Sequence, residues 1–135
     1  MLPVHLLYDV TPPGLTILYL GLGLVTLLLI TVLVALIEGV VLTLLRWNNF
    51  RHALLASLIA NVVSSVAGGV LLIFMQQVPL LWILVALVLS FIIEGAILVK
   101  IQPGNNRRTW LVCLAANLAS YLLLILPAYL FSLAD

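Results

Sequence analysis

The sequence predicts an all-α membrane protein: four transmembrane helices arranged as two helical hairpins in a parallel repeat, with both termini on the outer, non-cytoplasmic side. Three observations predict it. Of the 135 residues, 66% are apolar and 7% charged, with a mean hydropathy of +1.40, whereas soluble domains carry about 45–50% apolar and about 25% charged residues. The apolar residues fall into four runs separated by short polar turns. Glu, Asn and Arg, all scarce in this chain, recur in register at an offset of 56 residues. Nine charged side chains cannot coat a 14.7 kDa particle in water, so lipid is the expected solvent.

The same counts exclude several classes. Four spans of about 20 residues each occupy some 80 positions, which leaves no room for a soluble catalytic domain. A net charge of +1 with no Lys/Arg stripe gives nucleic acid nothing to bind. The single cysteine, Cys113, can form neither an intrachain disulfide nor a CxxC site. No Ser/His pair, paired Asp or HExxH arrangement is present, so no enzyme activity, catalytic residue, metal ligand or cofactor is expected.

The elements follow in order. Residues 1–14 form an outer tail without the basic region and small-residue cleavage site of a secretory signal, and read as mature sequence. Leu2, Leu6, Leu7 and Val10 fit an interfacial amphipathic turn or a plain extended tail equally well. A single transmembrane domain, 15–135, follows the Pro12-Pro13-Gly14 breaker. Its first span runs from Leu15 to Leu45 with Glu38 as its only charge. As a helix it measures about 46 Å, longer than a hydrocarbon core of about 30 Å, so it is expected to project, tilt or bend near Gly21 and Gly23. The second span covers about Ala53 to Phe74, the third about Pro79 to Val99 and the fourth about Thr109 to Leu133.

The loops divide by charge. Arg46 and Arg51 lie between spans one and two, and Lys100, Arg107 and Arg108 between spans three and four. The other side carries Asp9, the uncharged Gln76-Gln77 turn and Asp135. The positive-inside rule makes the two basic loops cytoplasmic and leaves both termini outside, as in a bacterial inner membrane protein.

The repeat pairs residues about 35–64 with about 91–120. Ile37-Glu38-Gly39 matches Ile93-Glu94-Gly95, Leu42 matches Leu98, Asn49 matches Asn105, Arg51 matches Arg107, Leu55 matches Leu111, and Ala60-Asn61 with Ser64 matches Ala116-Asn117 with Ser120. Two hairpins of one orientation are related by a pseudo-two-fold axis along the membrane normal. A lone hairpin would turn its polar face to lipid, so pairing two copies gives that face a place to go.

The polar residues of this repeat form the candidate site: Glu38, Asn61, Ser64, Glu94, Asn117 and Ser120. Each Glu lies roughly 9–12 Å inside the basic boundary along its helix, and the Asn of its hairpin lies at similar depth, which makes a Glu–Asn hydrogen bond natural. Ser57, Asn61, Ser64 or Ser65, and Gly68 share one face of span two and suit close helix approach. Span four repeats that face as Cys113, Asn117 and Ser120 but continues with the larger Leu124 and Pro127, so its outer end is expected to pack less tightly. Ionisable residues at membrane depth default to an ion, proton or substrate pathway, with amide oxygens as further cation ligands. The competing reading is a lock, in which each protonated Glu fixes helix register through its Asn for about 0.5–2 kcal/mol per bond. The lock is favoured, because the repeat helices have no central proline and every basic residue sits at the boundary, from where it can at most snorkel toward a Glu.

Weaker signals are assigned bland roles. His5 and His52 lie in the tail and a loop. Trp47, Trp82, Trp110 and Tyr129 stand near span ends, where aromatics anchor at interfaces. Asn48-Asn49 and Pro103-Gly104-Asn105-Asn106 are turn formers, with anionic headgroups or a cytoplasmic partner as an additional option.

The doubled pattern of Glu-Gly, a basic loop and Ala-Asn-x-x-Ser resembles a group of small bacterial membrane proteins with tandem Glu…Arg…Asn-x-x-Ser/Thr hairpins. The likeness covers about Ala35 to Ser120; where members carry a further polar residue and proline, this chain has Ser65-Val66 and Tyr121-Leu122. It implies architecture and no activity. The expected role is a non-catalytic integral membrane subunit or scaffold within a larger complex, respiratory or photosynthetic, whose partners are the bilayer and other membrane subunits or a second copy. The alternative is a small transporter or proton/cation channel that uses Glu38 and Glu94.

Overall fold

A computed structural model describes residues 13–72 and 79–132, with side chains over 21–68, 81, 83–127 and 130–131. The tail before Pro13, the Gln76-Gln77 turn, His5, and the side chains of Trp82 and Tyr129 lie outside the described residues.

The described chain is all-helical, with four helices long and apolar enough to cross a membrane. They are α1 (Pro13–Leu44), α2 (Phe50–Leu72), α3 (Pro79–Ile101) and α4 (Asn106–Ser120), the last continued by a π-helical turn (Tyr121–Ile125) and α5 (Leu126–Ser132). α1 begins at Pro13, two residues before the expected start. Proline suits a first helical turn, where its fixed φ is pre-organised and its missing N–H has no intrahelical partner to lose. α1 runs unbroken through Gly21 and Gly23, and the space beside both glycines is open.

α2 and α4 also start three residues earlier than the apolar runs indicate, for one shared reason. Asn49 Oδ1 accepts from the His52 backbone N–H at 3.1 Å and Asn105 Oδ1 from that of Arg108 at 3.1 Å. Each Asn is thus an N-cap, which gives the Asn49/Asn105 match a structural cause.

The chain forms two compact units, 1–30 and 31–135. In the first, the described side chains from 21 to 30 are all exposed. The second unit has one buried stripe per helix. In α1 it is Thr31, Val34, Ala35, Glu38, Gly39 and Leu42; in α2, Ala53, Ala56, Ser57, Ala60, Asn61 and Ser64; in α3, Glu94, Gly95 and Leu98; in α4, Thr109, Val112, Cys113, Ala116, Asn117 and Ser120. Steps of three and four put each set on one helical face. α2 packs on α3 and α3 on α4, while Glu38 of α1 is bonded from both α2 and α4, which closes a ring of four helices.

The distribution inverts that of a water-soluble domain. Buried positions are mainly alanine, glycine and hydrogen-bonding residues, and large aliphatics such as Val66, Leu111 and Leu123 are exposed. Small buried residues let helix backbones approach closely, the packing mode available when lipid removes the hydrophobic drive between helices. Gly39 and Gly95 carry this furthest. A Cβ on Gly39 would lie 3.0 Å from Leu54 Cα, and one on Gly95 would lie 2.1 Å from the Trp110 ring. Gly68, expected to serve the same purpose, has open space where a Cβ would point. Among the described residues, the buried stripes end at Ser64 in α2 and at Ser120 in α4.

At the turn end, the core unites Leu42, Trp47, Ala53, Ala56, Leu98, Val112, Cys113 and Ala116. Trp47 enters it because α1 ends in a Schellman motif: the Trp47 N–H bonds Leu42 O at 2.8 Å and the Arg46 N–H bonds Thr43 O at 2.9 Å. Arg46 takes the left-handed position between them, φ 56°, where glycine is the usual residue. Trp47 Nε1 then donates to Thr109 Oγ1 at 3.2 Å, and Trp110 stacks edge-on against Phe91 at 5.1 Å. These contacts correct the interface-anchor reading of Trp47, which is buried in the core; Trp110 packs on Phe91 and remains half-buried. The two short turns meet through Asn48 Nδ2, which donates to Gln102 Oε1 at 2.9 Å, and through Arg108 Nη2, which donates to the carbonyls of Leu45 and Arg46 at 3.0 Å each.

Candidate functional site

The six polar residues singled out in the sequence converge at the centre of the second unit. Glu38 and Glu94 are each 2% exposed, and Asn61, Ser64, Asn117 and Ser120 are buried around them. Their arrival follows from the stripes above: each residue occupies the inward face of its helix, and alanines beside it bring the neighbouring backbone within side-chain reach.

Two of the bonds are those expected. Asn61 Nδ2 donates to Glu38 Oε2 between α1 and α2, and Asn117 Nδ2 donates to Glu94 Oε2 at 2.8 Å between α3 and α4. Two others cross between hairpins. Ser64 Oγ donates to Glu94 Oε1 at 2.8 Å, and Ser120 Oγ donates to Glu38 Oε1 at 2.9 Å. Ser57 Oγ adds a third donor to Glu38, at Oε2, 2.8 Å away. The corresponding residue of the second hairpin is Cys113, whose Sγ turns to the Phe91 carbonyl, so Glu94 has one hydroxyl fewer. All four carboxyl oxygens therefore accept a hydrogen bond, and all four neighbouring helix pairs are tied through one of the two glutamates.

The two carboxyls are neighbours, since Asn61 and Ser64, one turn apart on α2, bond Glu38 and Glu94 respectively, and Ser120 and Asn117 on α4 do the same; among the described residues their hydrogen-bond donors are hydroxyls and amides. The snorkelling of Arg or Lys toward Glu is thus not realised. Arg46, Arg51, Lys100, Arg107 and Arg108 are all exposed at the turn end, and Arg108 spends its guanidinium on the carbonyls that terminate α1. That placement complements the negative end of the α1 dipole.

Three features went unread in the sequence. Ser57 was placed on the polar face without a role as a carboxyl donor. Tyr121 stands beside Ser90 and near both glutamates; the repeat positions of Tyr121 and Ser90 hold Ser65 and Val34, so the offset of 56 gave no signal for them. Asn117 Oδ1 is a buried oxygen with no hydrogen-bond partner, although Asn117 itself is 1% exposed. Among the described residues, no group of three or more His, Cys, Asp or Glu that would hold a metal ion occurs.

Fold and site together define an all-helical chain with four potential membrane spans around a buried, charge-poor polar cluster. Comparison with known proteins finds no matching family model, no matching curated protein and no matching solved structure. The likeness to small bacterial hairpin-repeat proteins therefore rests on the tandem motif alone.

Proposed function

We propose that this chain is a non-catalytic integral membrane protein, a compact four-helix subunit or scaffold that packs against other membrane subunits or a second copy. The observation that carries the reading is the crossed hydrogen-bond network. Its donors come from α2 and α4 to complete α1's Glu38 and α3's Glu94, so the polar atoms act on each other and hold the bundle together. A hydrogen bond within lipid is worth on average about 0.6 kcal/mol and up to about 1.7; five to the carboxyls supply helix register where hydrophobic burial supplies little.

In this reading the two hairpins are parallel repeats about a pseudo-two-fold axis. The support is that the bonds Asn61–Glu38 and Ser64–Glu94 map onto Asn117–Glu94 and Ser120–Glu38 under the offset of 56. The basic turns face the cytoplasm of a bacterial cell and the termini face out. Cysteines placed singly at Asn106 and Asp135 test the orientation: an impermeant thiol reagent added to intact spheroplasts should label the second and spare the first.

The role is tested by extracting the tagged chain into native nanodiscs and identifying what comes with it. A stoichiometric membrane partner, or a defined oligomer of the chain, is the expected result. A free monomer alone overturns the subunit reading. Flux through liposomes that is abolished by Glu38→Gln plus Glu94→Gln would install a transporter or channel in its place.

A further inference from the structure

The crossed network satisfies the carboxyl oxygens but does not neutralise them. Among the described residues, hydroxyls and amides are the only donors on Glu38 and Glu94, and every Lys and Arg side chain is exposed at the turn end. Two ionised carboxylates in this position would place two negative charges side by side within a low-dielectric interior, an arrangement of high energy.

A second observation points to the same place. Asn117 Oδ1 is fully buried and has no partner, against the rule that buried polar atoms are hydrogen-bonded. Its amide nitrogen is 2.8 Å from Glu94 Oε2, so the width of the amide group keeps Oδ1 within about 5 Å of that carboxyl. An excess of negative charge and an acceptor without a donor thus adjoin each other.

A metal ion answers these demands poorly. The serine hydroxyls and asparagine nitrogens present hydrogens to the carboxyl oxygens, whereas a hard cation is held by a shell of oxygens turned toward it. A proton suits the donor set as it stands. We propose that Glu38 and Glu94 are a proton-binding pair, which holds at least one proton between its carboxyls at neutral pH, with Asn117 Oδ1 as the spare acceptor at its edge. The other titratable groups facing the pair are Cys113 and Tyr121, both on the α4 side; α2 contributes only Ser57, Asn61 and Ser64. Deprotonation breaks one carboxyl O–H bond, passes the proton to water and leaves the pair one unit more negative, so the bundle loosens as pH rises. The proposal does not depend on the scaffold reading, which partner capture tests separately.

Glu38 and Glu94 are the only glutamates in the sequence, so the pair is observable without a substitution. The full chain, produced with carboxyl-13C glutamate and held in nanodiscs, is measured by infrared spectroscopy. The expected spectrum at neutral pH contains a protonated-carboxyl C=O band that shifts with the isotope, and alkaline titration removes it while resistance to denaturing detergent falls. The titration should be the same in sodium, potassium and choline chloride. Absence of an isotope-shifted protonated band at neutral pH overturns the proposal. A band that sodium or lithium abolishes, with a gain in resistance, also overturns it in favour of a cation site. Glu38→Gln plus Glu94→Gln, which fixes both groups neutral, should lose the alkaline sensitivity; a variant that keeps it contradicts the assignment.

Discussion

The carboxyl oxygens differ in how many donors they have, and this makes the three serines unequal in a measurable way. Ser120 is the hydroxyl or amide donor on Glu38 Oε1, and Ser64 on Glu94 Oε1, whereas Glu38 Oε2 receives both Ser57 and Asn61. Replacing each serine by alanine deletes one oxygen from a site of equal burial, with Ser57, Ser64 and Ser120 between 0% and 5% exposed. The cavity terms therefore nearly cancel. Ser57→Ala leaves Oε2 still bonded by Asn61, so its loss should lie near the average of about 0.6 kcal/mol for a hydrogen bond in lipid. Ser120→Ala and Ser64→Ala each strip a buried carboxyl oxygen of its amide or hydroxyl donor, which costs about 1–3 kcal/mol. The difference, about 0.4–2.4 kcal/mol, corresponds to a change of about twofold to sixtyfold in the unfolding equilibrium. Reversible unfolding in mixed micelles, followed by helix circular dichroism, gives the comparison directly. A Ser57→Ala loss equal to or larger than that of Ser120→Ala refutes the reasoning, because the orphaned oxygen would then carry no penalty.

Other outcomes follow from the turns and the close helix contacts. Gly95→Ala drives a methyl into the Trp110 ring and should destabilise by about 1–3 kcal/mol; adding Trp110→Leu, which copies the Leu54 found opposite Gly39, should recover part of that loss in the same unfolding assay. Asn49→Ala and Asn105→Ala each remove an N-cap and should lower stability by about 1 kcal/mol, with early amide exchange in the first turns of α2 and α4 as a second readout. Arg46→Gly relieves a left-handed residue of its Cβ and should raise stability by about 1 kcal/mol; a loss would show that the arginine side chain does more than fill the turn.

The four helices and the membership of the buried polar cluster were legible because scarcity makes the few polar residues visible. In a chain this apolar, a leucine match means little, but Glu38 with Glu94 and Asn61 with Asn117 have few places to coincide by chance, and helical spacing puts each pair at one depth. Which neighbour a serine reaches was not legible. Sequence gives Ser64 a face and a height; only the packing of α2 on α3 turns it to Glu94 and away from Glu38 in its own hairpin. The helix starts were missed by three residues because Asn49 and Asn105 were counted as turn formers, and capping places such residues half inside the helix. Trp47 was misread for a related reason: its position at a span end fits an interfacial anchor, but a Schellman turn with a non-glycine residue at its left-handed position leaves no clear mark in sequence, and that turn is what directs the ring inward. The π-helical turn after Ser120 had no signal beyond Pro127, whose missing N–H disturbs the regular ladder.

The crossing of the two serines sets an order on biogenesis. Glu38 and the residue that completes it, Ser120, are 82 positions apart, so on a chain made from its N-terminus the first hairpin is released from the ribosome well before its last donor exists. During that interval Glu38 has the donors of α2 alone, and Ser64 has no acceptor across the hairpin boundary until α3 arrives. The half-made protein is thereby distinguishable from the finished one by a polar face left without its partners. A membrane chaperone or protease that recognises such a face would act on stalled chains and ignore mature ones, and truncation after α2 should give a short-lived product although every residue of the first hairpin is present.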